Sequence, residues 1–439
     1  MKIYKNKNLI ISRINDNFYS VVNPFVTNGL RVINKDQYCV LSHIADGTSL
    51  ELLEKTIGFD ENSLINFCMM LQEQNILSFS NEFHSVADEK SDPINFTLWV
   101  HTTNNCCLRC SYCNIHTLGE NSKMSKKIIE QLSNKIEETV RKNGFKSVVL
   151  RLAGGEPLLQ WKDWKYSMRD LKVRLAQFNC HLKVVLLSNL VLLTDEIIDW
   201  IKSDNIGISV SFDGLGLYQD KARHFKDGSG SFDIVVKNLD KLLENGIYPM
   251  ILTVVSNNNV EGLPDLTRFL IDKNLSFRYS FVQFEELDLE KVIDKLKECL
   301  YILSKAIDNG YQFTKNFNLC DLKFLNPYVQ TCSNGLTGAA VYVDGNIYFC
   351  HTHFGFQPKI GSIFSDKDLI QIFKEGSYYK NDVAEECQTC NLRYVCTSGC
   401  PLEREKGKDP HCDAYKELVP IVYNLIGKER LYRIMKMKV

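Results

Sequence analysis

Ten of the sixteen cysteines in this 439-residue chain fall into two ordered arrays, and clustered thiolates are the strongest chemistry the sequence offers. Cys106, Cys110 and Cys113 form a C-x3-C-x2-C run inside HTTNNCCLRCSYCN. Cys332, Cys350, Cys387, Cys390, Cys396, Cys400 and Cys412 form the second array, which closes on C-x2-C-x5-C-x3-C and one further cysteine. Soft thiolates at such spacing converge on soft metal centres, and iron–sulfur clusters are the commonest centres that use so many. Three ligands for a four-iron cluster leave one iron open to a substrate or cofactor, so the first array reads as catalytic. The second reads as closed or nearly closed auxiliary clusters. Paired C-x2-C knuckles are also zinc-ribbon ligands, and zinc stays open for Cys387, Cys390, Cys396 and Cys400.

A disulfide framework is the other use of many cysteines. It belongs mostly to short secreted domains, and the opening MKIYKNKNLIISRIND carries no apolar signal core. Reduced thiols and a cytoplasmic location are therefore expected. Lysine plus arginine (52) nearly cancels aspartate plus glutamate (53), which excludes the electrostatic footprint of a nucleic-acid or membrane-surface binder. No apolar stretch reaches spanning length. A chain this long should divide into two or three domains.

The elements that must position these thiols follow from hydrophobic periodicity. Residues 1–90 read as a small α+β domain: strands FYSVV (18–22) and LRVI (30–33), helices over 35–45, 49–57 and 61–74, and a closing strand ILSFS (76–80). Asp60 with Ser63 behind it is an N-cap signal for the third helix. The order suggests a winged-helix-like module, and the polar stretch 81–93 is the expected linker. From 95 to 310 strand and helix alternate. Apolar runs at 96–102, 147–153, 182–188, 206–212, 250–256 and 276–282 predict strands buried on both faces, separated by helices near 124–143, 161–177, 194–203, 232–245, 260–273 and 288–308. Six such units make a parallel α/β fold, a partial (β/α)6 barrel, whose active-site groups belong at the C-terminal strand ends. Cys106 lies four residues beyond the first such end. After 310 the cysteines take over in a loop-rich iron–sulfur domain (311–439). Short strands at 339–343 and 346–350 flank Asp344-Gly345, a hairpin signal, and a final helix after Cys412 should break or kink at Pro420.

These residues carry a resemblance. C-x3-C-x2-C with Tyr112 before the last cysteine, followed at the second strand's end by Gly154-Gly155-Glu156-Pro157, resembles the radical S-adenosylmethionine (radical SAM) superfamily. The seven-cysteine array is similar to that superfamily's SPASM extension, which houses two auxiliary 4Fe-4S clusters. The likeness implies three 4Fe-4S clusters and S-adenosylmethionine as cofactors. A cluster on Cys106, Cys110 and Cys113 would hold the cofactor and deliver the electron that yields a hydrogen-abstracting 5'-deoxyadenosyl radical. It further implies that Gly154 and Gly155 let the backbone approach the cofactor, Glu156 accepts from its ammonium, and Tyr112 lies against the adenine. Ser188 and Asn189 (LSNLVLLT) would sit near it, Ser211 would face its ribose or carboxylate, and Arg223 could pair with the carboxylate. Asp213-Gly214 reads equally as a plain turn. In the extension, Cys387, Cys390, Cys396 and Cys412 would complete one cluster, and Cys332, Cys350 and Cys400 the other, with Cys320 as its possible fourth ligand. Cys107 is expected to point away as a buried thiol. His351 and His353 are read as ordinary loop histidines.

The implied function is a radical SAM enzyme that cross-links a ribosomally made precursor peptide, through a thioether or a carbon–carbon or ether bond. Residues 1–90 resemble the winged-helix domain that captures leader peptides, with FYSVV and LRVI as the edge on which a leader would add and Phe67, Met69 and Met70 as an apolar wall. The expected partners are that precursor and an electron donor such as flavodoxin or ferredoxin, with no nucleic acid and no membrane. The alternatives are a sulfatase maturase that generates formylglycine and a non-enzymatic zinc-ribbon binding module.

Overall fold

The computed structural model describes residues 1–87, 94–119, 122–377 and 382–437. Contacts group the chain into two compact units: Met1–Ser91 with Asp288–Thr331 and Val383–Val439, and Asp92–Leu287 with Cys332–Asp382. Each unit gathers segments far apart in sequence, so the contacts do not follow the three consecutive domains suggested by patterning. The linker expected at 81–93 falls in part, at 88–93, outside the described residues.

The unit built on Asp92–Leu287 holds the alternating strands and helices. Strands Asn95–His101, Ser147–Ala153, His181–Ser188, Gly207–Ser211, Met250–Val255 and Ser276–Phe281 lie side by side in chain order, all parallel. This is the parallel α/β barrel architecture expected. Phe96, Leu98, Val100, Val148, Leu150 and Leu152 are fully buried, while the alternate positions of the same strands are partly open. One face thus makes the core under the helices and the other is partly open. Helix Lys126–Asn143 shows the local logic: Ser125 caps its N-terminus by accepting from the Ile128 N–H, and Gly144 ends it in the left-handed conformation (φ 70°). The cysteine-rich region contributes to this sheet, which its composition does not reveal. Gly338–Val341 pairs parallel to the first strand, and a hairpin through Gly345 brings Asn346–Tyr348 antiparallel to it.

The other unit joins the two ends of the chain. Ile10–Arg13, Phe18–Val22 and Leu30–Asn34 form an antiparallel sheet in that order. FYSVV is therefore the central strand, paired on both sides, and cannot be an edge; Leu30–Asn34 is one. Helix Glu61–Gln72 turns Leu64, Phe67, Cys68 and Leu71 into the core and leaves Met69 exposed, so Phe67 is core rather than an available wall. Helix Cys412–Met437 runs unbroken through Pro420, against the expected break. Proline frees the carbonyl four residues earlier, and that residue is the exposed Lys416, where water can take the released acceptor. From Leu418 to Tyr432 none of its residues is exposed, because it packs on the three-stranded sheet and on helix Leu289–Asp308. Asn424 Nδ2 donates to the Arg13 carbonyl at 2.9 Å and Arg430 Nη1 to the Leu30 carbonyl at 2.6 Å, fastening both edge strands. Among the described residues no helix is long and apolar enough to cross a membrane.

Candidate active site

The first cysteine array lies in a loop that three strand ends hold. Its approach segment is stitched to the end of the second strand: Thr102 N donates to Ala153 O (2.8 Å), Gly155 N to Thr103 O (2.6 Å) and Glu156 N to Asn105 O (2.8 Å). This gives the glycines a role toward the chain's own backbone. A Cβ on Gly154 would lie 2.5 Å from the Thr103 carbonyl oxygen, and one on Gly155 would overlap the Asn105 carbonyl. The glycines make room for the chain's own backbone, and through it for the cysteine loop. Beyond the loop, Leu108–Cys110 pairs antiparallel with Arg223–Phe225, setting Cys110 opposite Arg223.

Glu156 is fully buried. Its carboxylate accepts from Leu158 N (3.0 Å), Ser188 Oγ (2.8 Å) and Asn189 N (2.9 Å), so it ties the third strand's end to the second's. Burial pushes its carboxyl up to about 7, and these donors and Arg223 limit the rise. A cation brought beside it would restore full ionisation. The third-strand loop is held firmly: Leu190 adopts φ 64°, costly for a branched residue, and Asn238 Nδ2 donates to its carbonyl at 2.8 Å.

All three array thiols are half-buried and free. They already receive donors: Leu108 N (3.4 Å) and Asn189 Nδ2 (3.5 Å) point at Cys106 Sγ, and Arg223 Nη1 at Cys110 Sγ (3.6 Å). Burial pushes the Cys110 thiol up to about 12, and its neighbours Cys113 and Cys106 add to the rise while Arg223 opposes it. Thiols crowded so that they resist ionisation alone, yet ringed by N–H donors, suit a cationic iron centre that supplies the missing charge. Cys107 does not point away. Its sulfur accepts a hydrogen bond from the Cys106 thiol, and Asn189 Nδ2 donates to both.

Tyr112 and Arg223 meet at Asp213, for which the sequence reads equally as a plain turn. Tyr112 donates its phenol proton to Asp213 Oδ2 at 2.6 Å, and the Arg223 guanidinium lies 5.3 Å from its ring centroid. Arg223 Nε donates to the same oxygen at 2.7 Å. Nothing local marks Asp213, because its partners stand far off in sequence. Ser211, half-buried, ends the fourth strand two residues before it.

The second array is divided between the units, with Cys332 and Cys350 in one and Cys387, Cys390, Cys396, Cys400 and Cys412 in the other. Within the latter, Cys396 is pushed up to about 12 by burial and by the nearby charges of Cys390 and Cys412, while Cys412 feels Cys387. Cys390 and Cys412 thus lie in electrostatic reach of Cys396, and Cys387 in reach of Cys412. Cys320, in the same unit, stands beside the Tyr415 hydroxyl and carries φ 49°. Asp409 accepts from His411 N at 2.8 Å and overhangs Gly399, whose φ of 77° and lack of a Cβ make that contact possible. His351 stacks on Trp99 with centroids 3.9 Å apart, and its Nδ1 lies 3.5 Å from Cys350 Sγ. His353 is buried. Among the described residues no three His, Cys, Asp or Glu side chains close on a single metal ion.

Residues 100–270 match the family model of the Radical SAM superfamily. The chain is 24% identical over 335 residues to a cysteine-type anaerobic sulfatase-maturating enzyme of Clostridium novyi, covering 69% of this chain and 87% of that one. It is 21% identical over 446 residues to the radical SAM cyclopropyl synthase TigE of Paramaledivibacter caminithermalis, covering 90% of each. Among solved structures, anSMEcpe with bound AdoMet and a peptide superposes with a TM-score of 0.64 at 18% identity, over 76% of this chain and 99% of that one. Streptococcus suis SuiB bound to its precursor peptide SuiA superposes with a TM-score of 0.54 at 16% identity, over 94% and 100%.

Proposed function

We propose, for a chain that carries a radical SAM domain over residues 100–270, that it modifies a ribosomally made precursor peptide by hydrogen abstraction and cross-linking. The observation that carries the chemistry is the loop of Cys106, Cys110 and Cys113, fastened at the C-terminal ends of parallel strands with N–H donors on its sulfurs. A 4Fe-4S cluster held by Cys106, Cys110 and Cys113 would supply one-electron reduction of S-adenosylmethionine. The chain's residues do the rest: Glu156 offers a buried carboxylate to the cofactor's ammonium, and Ser188 and Asn189 keep that carboxylate in place. Ser211 and Tyr112 complete the polar side of the site. Exclusion of water protects such a radical better than any acid–base group. Cys387, Cys390, Cys396 and Cys412 are assigned to one auxiliary cluster and Cys332, Cys350 and Cys400 to another, with Cys320 as that one's fourth ligand.

The peptide reading rests on the N-terminal sheet. Leu30–Asn34 is an edge strand, and an extended peptide adds to such an edge through backbone hydrogen bonds. Hydrogen exchange with and without a precursor peptide tests it: protection should appear at the amides of Leu30–Asn34, and an unchanged pattern there rejects leader capture. A second reading, formylglycine formation on a sulfatase, is favoured by the likeness to sulfatase-maturating enzymes. Incubation with a cysteine- or serine-containing sulfatase peptide decides it, since a mass loss in that peptide would displace the precursor reading.

A further inference from the structure

Asp213 lies just past the fourth strand, fully buried, and its polar atoms are engaged on every side. Its N–H donates to Gln219 Oε1 (2.8 Å), and its carbonyl accepts from Asn259 Nδ2 (2.8 Å). Oδ1 accepts from Val254 N (2.9 Å), and Oδ2 from both Tyr112 (2.6 Å) and Arg223 (2.7 Å). A carboxylate gripped by backbone and side chain alike cannot swing, so it is a fixed negative charge. Arg223 is only 8% exposed, and its other arm reaches Cys110 Sγ at 3.6 Å. The strand pairing of Arg223 with Cys110 holds the two in register. The order in space is carboxylate, guanidinium, sulfur.

We propose that Asp213 is a positioning residue that holds the Arg223 guanidinium against Cys110 and thereby sets the reduction potential of the centre on Cys106, Cys110 and Cys113. The proposal rests on the cluster assignment above. A cluster that accepts one electron from a low-potential donor gains negative charge. A cation at a ligand sulfur favours that state and a carboxylate behind it opposes it. Neither charge is well screened, because both side chains are withdrawn from water. Arg223 buried without Asp213 would be an uncompensated charge, so the pair is what lets the guanidinium stay beside the sulfur. Tyr112, donating to the same oxygen, fixes the angle at which Oδ2 faces Arg223.

The test is the potential of this one centre in the full-length, reconstituted chain, read by electron paramagnetic resonance at poised potentials with dithionite as donor. The signal is identified as the one missing when Cys106, Cys110 and Cys113 are replaced by Ala. If the unaltered chain has no such signal, the cluster assignment fails, which is distinct from failure of this proposal. Given the signal, Arg223→Gln should lower the potential, and Asp213→Asn should lower it too, because losing the guanidinium from the sulfur outweighs losing the carboxylate that lies behind it. The double variant should lie no lower than Arg223→Gln alone. A raised or unshifted potential in Asp213→Asn, or falls that add in the double variant, would overturn the proposal, because changes acting independently at the two sites would add. Should Asp213→Asn not retain the cluster, Arg223→Lys keeps the charge and must lie above Arg223→Gln; equal potentials for Lys and Gln would overturn it as well.

Discussion

Glu156 spends its carboxylate on holding two strand ends together, and the cost of burying it is visible in its titration. The ordinary value of 4.5 is raised to about 7, so the fold prefers the protonated form. A group raised in this way contributes stability that is full below about 4.5 and lost as the pH climbs through 7. For the metal-free protein the loss from this one group amounts to about 3 kcal/mol between pH 4 and 8, the shift taken at about 1.4 kcal/mol per unit. Glu156→Gln should remove that slope while adding a constant penalty of about 1–3 kcal/mol, because the Asn189 N–H then faces an amide in place of an acceptor. Urea unfolding of both proteins across that range checks it; parallel curves would show that Glu156 does not titrate as stated. Gly155→Ala should cost about 1–3 kcal/mol by overpacking. It should also weaken S-adenosylmethionine binding, since the displaced segment leads straight into Cys106. Calorimetric melting and cofactor binding measure the two effects, and an unshifted melt would contradict the close approach to Asn105.

At the scale of elements, Gly427 shows how context reverses a propensity. Gly to Ala inside a helix ordinarily gains about 1 kcal/mol. Here a Cβ would stand 2.7 Å from Ser20 Cβ in the central strand of the N-terminal sheet. Gly427→Ala is therefore expected to destabilise by about 1–3 kcal/mol, and a raised melting temperature would refute the close packing of helix on sheet. The same context marks what the sequence could and could not disclose. The six parallel strands were legible as apolar, β-branched runs, and Ser147–Ala153 begins and ends where SVVLRLA does, although burial on both faces was not borne out, since alternate positions are partly open. Pro420 does not break its helix, because the consequence of a missing N–H depends on whether the freed carbonyl meets water. FYSVV misled: a strand's own residues do not state how many neighbours it has. At the site, the two motifs were plain from spacing, whereas Asp213 was not. Its hydrogen bonds span from six to more than a hundred residues, and no local pattern encodes partners so distant.

Across the molecule, three assigned clusters make a chemical count. Anaerobic reconstitution should give about twelve iron and twelve sulfide per chain, as three cubanes require, and a value near four would leave only the first array occupied. The two ends of the chain stand or fall together. Deleting residues 1–91 would take from the C-terminal helix the partners of Asn424, Gly427 and Arg430, which are Arg13, Ser20 and Leu30. Such a chain is expected to lose its cooperative melt, so an edge-strand probe is the cleaner test of peptide capture. That helix also has an arithmetic of its own. Cys412 and Arg430 are separated by a whole number of turns at about 3.6 residues each, so they share one face some 27 Å apart. One inserted or deleted residue between them would rotate that relation by about 100°, turning the proposed ligand away from its array or the arginine away from the Leu30 carbonyl. Along this stretch the chain can accept changes of residue but not of length, and descendants of this sequence should vary there only by substitution.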